Sequence, residues 1–222
     1  RRRRFRCGFE KFTGNRVVLQ PKDFGTFTTM KKIVCITGGM GSGKSTVAGL
    51  LLEAGFAVYD SDSRAKELML SEPVRAQIEH LLGLSAYLSN GALNRPFISE
   101  QIFMDPGKKS ALEAIVHPVV QSDFEHWLEQ SEGSMVFKES ALTLETGDNS
   151  CSIVLLVDCA ENIRFQRVKQ RNPEWSNEEI QARFDHQLTD VQRKNSDAIL
   201  IDNSGSLETL KKSIDQALAK CI

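Results

Sequence analysis

Short apolar runs alternate with amphipathic stretches from residue 31 to the end of the chain. Ile33-Val34-Cys35-Ile36-Thr37, Phe56-Ala57-Val58-Tyr59, Met135-Val136-Phe137, Ile153-Val154-Leu155-Leu156-Val157 and Ala198-Ile199-Leu200-Ile201 are continuous apolar or β-branched runs of strand length. Runs that do not alternate with polar residues predict strands buried on both faces, and the fourth reads as a central parallel strand. Helical spacing fills the intervals. One helix follows the first strand to about Ala54 and ends at Gly55, a natural C′ residue. Arg64–Met69 reads as a second helix, and Glu72–Leu82 as a third with Val74, Ile78, Leu81 and Leu82 on one face. A helix starts near Ser99, and a longer apolar stripe runs from Leu112 to Leu128, where Pro118 predicts a kink or a restart with His117 at the joint. Glu161–Arg171, a segment N-capped by Ser176, and Leu207–Ile222 complete the helices. Strands alternating with helices define the α/β class.

Composition adds bounds. With 222 residues, 41% hydrophobic and 26% charged, the chain has enough apolar material for a sizeable core in one domain. No apolar run approaches the ~18 residues of a membrane span, so no membrane partner is expected. Residues 1–29 carry a balance of +6, leaving −7 for the remainder of a chain whose net charge is −1. That acidity argues against a body driven onto nucleic acid by phosphate contacts. The leader, Arg1-Arg2-Arg3-Arg4-Phe5-Arg6 onward, is expected to be a poorly ordered extension outside the chemistry, and Met30 resembles a natural start. Five cysteines with no Cys-x-x-Cys pair predict neither a disulfide framework nor a zinc site. Cys35, Cys151 and Cys159 read as buried free thiols, which places the protein in a reducing compartment, the cytoplasm.

The chemistry concentrates after the first strand. Gly38-Gly39-Met40-Gly41-Ser42-Gly43-Lys44-Ser45-Thr46 fits the Gly-x4-Gly-Lys-Ser/Thr phosphate-binding pattern in its required strand-to-helix setting. Glycines let successive N–H groups turn inward as an anion nest, and the new helix adds the positive end of its dipole. Lys44 is expected to reach the β- and γ-phosphates of ATP, and the Ser45 hydroxyl to hold Mg²⁺. Asp60 and Asp62 follow the second strand. One residue apart in an extended stretch, they face the same way, which suits metal positioning by Asp60 and deprotonation of an acceptor hydroxyl by Asp62. Either aspartate also suits a helix cap. Arg95 is a candidate clamp on an anionic substrate, balanced against an ordinary surface charge. Asp158 mimics the acid that ends a nucleotide-binding strand, and is discounted because Asp60 and Asp62 already supply carboxylates. Arg167 and Arg171, four apart on one helix face, are the pair expected to close over the phosphates; Arg183 and Arg193 are weaker candidates.

In order and spacing these stretches resemble the dephospho-coenzyme A kinase family. Ile36–Ala48, Asp60-Ser61-Asp62, Leu93-Asn94-Arg95, His117-Pro118, Arg167-Val168-Lys169-Gln170-Arg171 and Asp202-Asn203-Ser204-Gly205 carry the resemblance, which spans Lys31–Ile222. The family usually has Asp-Ala-Asp, Leu-Asp-Arg and Leu-Leu-Phe-Glu where Asp60-Ser61-Asp62, Leu93-Asn94-Arg95 and Leu142-Thr143-Leu144-Glu145 stand. The resemblance implies a three-layer P-loop kinase fold with a five-stranded parallel sheet flanked by helices. It also implies helical insertions for substrate (about 62–130) and lid (about 161–190). The implied reaction is ATP-dependent phosphorylation of the ribose 3′-hydroxyl of dephospho-coenzyme A. Gly41, Ser42, Gly43, Lys44, Ser45 and Thr46 then hold ATP, with Mg²⁺ on Ser45 and Asp60. Asp60, Arg95 and His117 face the acceptor, Asp62 is the base, and Lys44, Arg167 and Arg171 steady the migrating phosphoryl group. A monomer or small homo-oligomer is expected. The alternative is another small-molecule kinase resembling shikimate kinase, whose Gly-Gly-Gly run after the third strand is missing here.

Overall fold

Five parallel strands make one sheet: β1 (Lys32–Thr37), β2 (Ala57–Asp60), β3 (Met135–Glu139), β4 (Ile153–Asp158) and β5 (Ile199–Asp202). A computed structural model describes residues 31–222 apart from Leu142, Gly147, Asn149 and Asn195. The basic leader, and with it the expectation of disorder there, lies outside the described residues. The strand order is β2-β3-β1-β4-β5. From β1 the chain crosses to β2 on one side and later returns to β4 on the other. The order therefore reverses beside β1, and a crevice opens at the carboxyl ends of β1 and β3 where α/β sheets bind ligands. Register sets Asp60 opposite Glu139 at that edge.

Ten α-helices are described: α1 (Lys44–Glu53), α2 (Ser61–Leu68), α3 (Glu72–Leu82), α4 (Arg95–Met104), α5 (Pro106–Gln130), α6 (Thr143–Thr146), α7 (Glu161–Arg171), α8 (Asn177–Asp185), α9 (Asp190–Lys194) and α10 (Leu207–Cys221). Three apolar clusters organise them. The largest sits between the sheet, α1 and α10, around Ile36, Phe137, Leu155 and Leu210. A second joins α2 to α5 around Ile78 and Val116, so the insertion after β2 carries a core of its own. A third binds α7 to α8 through Val168, Ile180 and Phe184, with Met40 of the glycine-rich turn packed against it.

Three sequence expectations are corrected here. First, α2 begins at Ser61 rather than Arg64, because Asp60 accepts from the Ser63 N–H (3.0 Å) and caps the helix directly after the strand. Second, α4 begins at Arg95 rather than near Ser99, since Asn94 caps it while also donating to the Ser85 carbonyl (2.9 Å). Where the family usually has an acid, an asparagine serves as an N-cap equally well. Third, α5 runs unbroken through Pro118 with no restart. Leu112, Val116 and Phe124 are buried on both sides of it, and this packing holds the helix across the missing hydrogen bond.

The cysteine reading is also corrected. Cys35 on β1 and Cys151, just before β4, form a disulfide with Cα atoms 5.6 Å apart. They are 116 residues apart in sequence. Only the pairing of β1 with β4, begun by the Ser152 N–H donating to the Ile33 carbonyl (2.8 Å), brings them together. Cys159 and Cys221 are buried free thiols. Among the described residues no helix is long and apolar enough to cross a membrane.

Candidate active site

β1 delivers the chain into the crevice with Val34, Cys35, Ile36 and Thr37 all buried. The turn that follows is shaped by glycines in the left-handed region, Gly41 at φ 78° and Gly43 at φ 93°. At Gly43 a side chain is excluded twice. The backbone conformation disfavours any L residue, and a Cβ would run into the Asn203 amide after β5. Gly43 is also the N-cap of α1, so the helix begins with its N–H groups open to the crevice.

The outer side of the turn is gripped. Asn203 Nδ2 donates to the Ser42 carbonyl (2.7 Å). Arg167 Nη1 donates to the carbonyls of Ser42 (3.4 Å) and Gly41 (3.5 Å), and its Nη2 to the Asn203 carbonyl (3.0 Å). A planar trans peptide points its carbonyl and its following N–H in opposite directions. Holding the Ser42 carbonyl outward therefore turns the Gly43 N–H inward, toward an incoming phosphate. Lys44 lies across the mouth, its Nζ donating to the Gly38 carbonyl (2.9 Å), while Ser45 and Thr46 are exposed. Ser42 is buried, with no partner for its hydroxyl among the described residues.

The two aspartates do not share the extended stretch from which their common direction was argued. Helix α2 starts between them, so the period-two argument does not apply. Both oxygens of Asp60 are taken by Ser63, through its N–H and its hydroxyl (2.6 Å). Asp62, one position into the helix, is exposed and lines a cavity of about 590 Å³. The polar side chains of that wall include Ser61, Asp62, Glu113, His117, Lys138 and Asp148, and its apolar part comes from α2 and α5. His117 therefore shares a cavity with Asp62. Arg95 is exposed at the start of α4 and lies away from the cavity lining.

Glu139 is the carboxylate that sequence reasoning passed over. It ends β3 opposite Asp60, and the charges of Lys44, Asp62 and Lys66 also act on it. Burial first, then the charges of Asp60 and Asp62, push its carboxyl up to about 7 against the pull of Lys44. Nothing local marks Glu139; the signal is the strand order, which puts β3 beside β1. Ser45 is exposed at the start of α1, and the carboxylates of Asp60, Asp62 and Glu139 offer oxygen of the hard kind that a small divalent cation takes.

A pH effect follows from Glu139. A carboxyl whose folded pKa is raised contributes stability that is fully present below its unfolded value and lost as pH rises through the folded value, here between about 4.5 and about 7. Glu139→Gln is expected to leave ligand-free stability unchanged at pH 4.5 or below. At pH 8 it is expected to raise stability by about 1–2 kcal/mol, after discounting for solvent screening. Urea unfolding at the two pH values checks this, and equal stability of the two proteins at pH 8 refutes it.

The arginines divide into two sets. Arg167 holds the outer side of the turn, as described, and Arg171 is exposed in the last turn of α7. Arg164 and Arg193 come closest to the inner strand-to-turn junction. Both are buried, and a side chain at Gly39 would strike both guanidinium groups. Arg164 is one helical turn from buried Val168, so an arginine on the inward stripe of α7 was the available signal. The α7–α8 unit is fastened over the turn by Phe184 against Arg164 (4.9 Å) and by the Met40 N–H donating to Gln187 Oε1 (2.9 Å).

A parallel sheet with this turn, an insertion cavity and an arginine-bearing helical pair defines a P-loop phosphotransferase. The sequence pattern of the family described as dephospho-CoA kinase matches residues 32–209. A dephospho-CoA kinase of Salinibacter ruber is 37% identical over 182 residues, covering 80% of this chain and 91% of that one. A Porphyromonas gingivalis relative of the same name is 42% identical over 139 residues, covering 62% and 68%. A crystal structure from Thermus thermophilus superposes with a TM-score of 0.75 at 34% identity, covering 86% of this chain and 98% of that one. The chain belongs to the dephospho-CoA kinase family. It is an ATP-using kinase that acts on a hydroxyl group.

Proposed function

We propose that the turn formed by Gly41–Thr46 holds the triphosphate of ATP while the α2–α5 cavity presents the ribose 3′-hydroxyl of dephospho-coenzyme A to its terminal phosphorus. The observation that carries this reading is the position of Glu139, which has Lys44 and the cavity carboxylate Asp62 as neighbours. Lys44 of the turn and Asp62 of the cavity both act on that carboxyl, which supports a phosphate tail and an acceptor held near one another. Lys44 leaves the Gly38 carbonyl to meet the β/γ oxygens. Asp62 accepts the proton of the 3′-hydroxyl as its oxygen attacks in line. Ser45 would hold Mg²⁺, with the carboxylates of Asp60 and Glu139 favouring a cation there, and the ion would supply charge neutralisation for the phosphates. Arg164 and Arg193 face the phosphates from the inner side, and Arg167 acts as a positioning residue through the carbonyls it holds. His117 and Arg95 meet the acceptor, Arg95 from outside the cavity, and Arg171 approaches from the lid when nucleotide is bound. A protein without nucleic-acid or membrane partners goes with this reading, while the Cys35–Cys151 disulfide removes the free-thiol argument for the cytoplasm.

Purified protein incubated with ATP, Mg²⁺ and either dephospho-coenzyme A or shikimate tests it. ADP release is expected only with dephospho-coenzyme A, with phosphorus NMR placing the new group on the 3′-oxygen. Release with shikimate alone overturns the assignment.

A further inference from the structure

Lys138 is an unusual residue for its place. It follows Met135, Val136 and Phe137 in β3 and, like them, is buried, at 6% exposure. A lysine loses hydration there and needs strong compensation. It receives three partners: Asp148 Oδ2 (2.8 Å), Ser150 Oγ (3.3 Å) and the face of Phe124, 4.4 Å from the ring centroid. Asp148 in turn takes the Ser150 N–H (2.9 Å) and hydroxyl (2.6 Å) on Oδ1. Although burial opposes it, these bonds hold the Asp148 carboxyl below the usual carboxylate range. The segment is also tied down covalently, with a carboxylate oxygen of Asp148 within 4.8 Å of the sulfurs of Cys35 and Cys151. Both Lys138 and Asp148 line the same cavity as Asp62.

So much structure spent on keeping one carboxylate ionised and fixed in a cavity wall calls for a ligand that uses it. A carboxylate with its oxygens already receiving donors offers only further acceptor sites. The diphosphate arm of the acceptor is anionic and is repelled from such a wall. Asp62 takes the ribose hydroxyl at one end of the cavity. The same cavity is lined by Ala65, Leu112, Val116 and Val120, an apolar surface suited to a flat ring. We infer that Asp148, oriented by Lys138, accepts a hydrogen bond from the 6-amino group of the acceptor's adenine and so selects the base of the nucleotide being phosphorylated. This inference rests on the proposed function and adds a specificity residue to it.

The test compares dephospho-coenzyme A with the analogue whose base is purine, lacking only the 6-amino group. Wild-type protein is expected to prefer the amino compound in kcat/KM by about tenfold to hundredfold, the worth of one hydrogen bond to a charged group. In Asp148→Asn the negative charge is lost and an NH₂ replaces one of the two oxygens, so an acceptor for the base is lost. The preference is then expected to fall to near one, with the KM for ATP unchanged. Because Asn leaves Lys138 without an anion, the paired change Lys138→Met with Asp148→Leu removes both charges at once, and it too is expected to abolish the preference. A variant that melts like wild type and keeps the wild-type preference overturns the inference, as does equal use of both acceptors by the wild type. If the wild type turns over neither acceptor, it is the proposed function that fails.

Discussion

Lys44→Ala is expected to lower kcat on the order of 10³-fold, about 4 kcal/mol of transition-state stabilisation, with little change in thermal stability. Phosphoryl transfer asks the protein mainly to position groups and neutralise charge as it spreads over the terminal oxygens. In the ligand-free structure the Lys44 ammonium is parked on the Gly38 and Gly39 carbonyls (2.9 and 3.4 Å), within reach of a phosphate at the start of α1. Its removal takes away a full charge at that point, whereas the turn itself is held from behind by Arg167 and Asn203. Steady-state ADP release and a melting curve check the two halves of the prediction. A kcat within tenfold of wild type would dismiss Lys44 from the phosphate site.

The second large effect is expected at Asp62. Asp62→Asn keeps shape and an oxygen but cannot take a proton, and a positioned general base is worth about 10²–10⁴ in rate. Loss of that size in kcat is expected, with nucleotide affinity unchanged, because Asp62 faces the cavity rather than the glycine turn. The substitution also removes an acid from the first turn of α2, a cost of only about 0.3–1 kcal/mol against the helix dipole. Fluorescent-nucleotide titration alongside ADP release separates binding from chemistry. If Asp62→Asn turned over at the wild-type rate, another group would have to accept the proton, and Glu139, on which the charge of Asp62 acts, is a described candidate.

Much of the site was legible before the structure. The glycine turn could be read because its information is local: spacing of glycines, a lysine and a hydroxyl, an apolar strand before and an apolar-faced helix after. Asp60 and Asp62 are legible for the same reason, yet the stretch joining them is not extended, since a cap by Asp60 pulls the helix start forward to Ser61. The arginines show the limit more clearly. Four of them lie near one another on α7 or α9, and periodicity does not say which side of α7 packs on the turn. The structure puts Arg164 inward, Arg167 behind the turn and Arg171 in solvent.

By itself the sequence determined the phosphate-gripping turn, the five strands and the family, because each is written in residues close together in the chain or in their order. Only the tertiary structure decided that Glu139 feels the charges of Lys44 and Asp62, that Lys138 and Asp148 share a cavity wall with Asp62, and that Cys35 bonds to Cys151. Each of these depends on β1 lying between β3 and β4. That order is chosen by burying all five strands together against α1 and α10, a free energy that belongs to the packed sheet and to no single stretch of it.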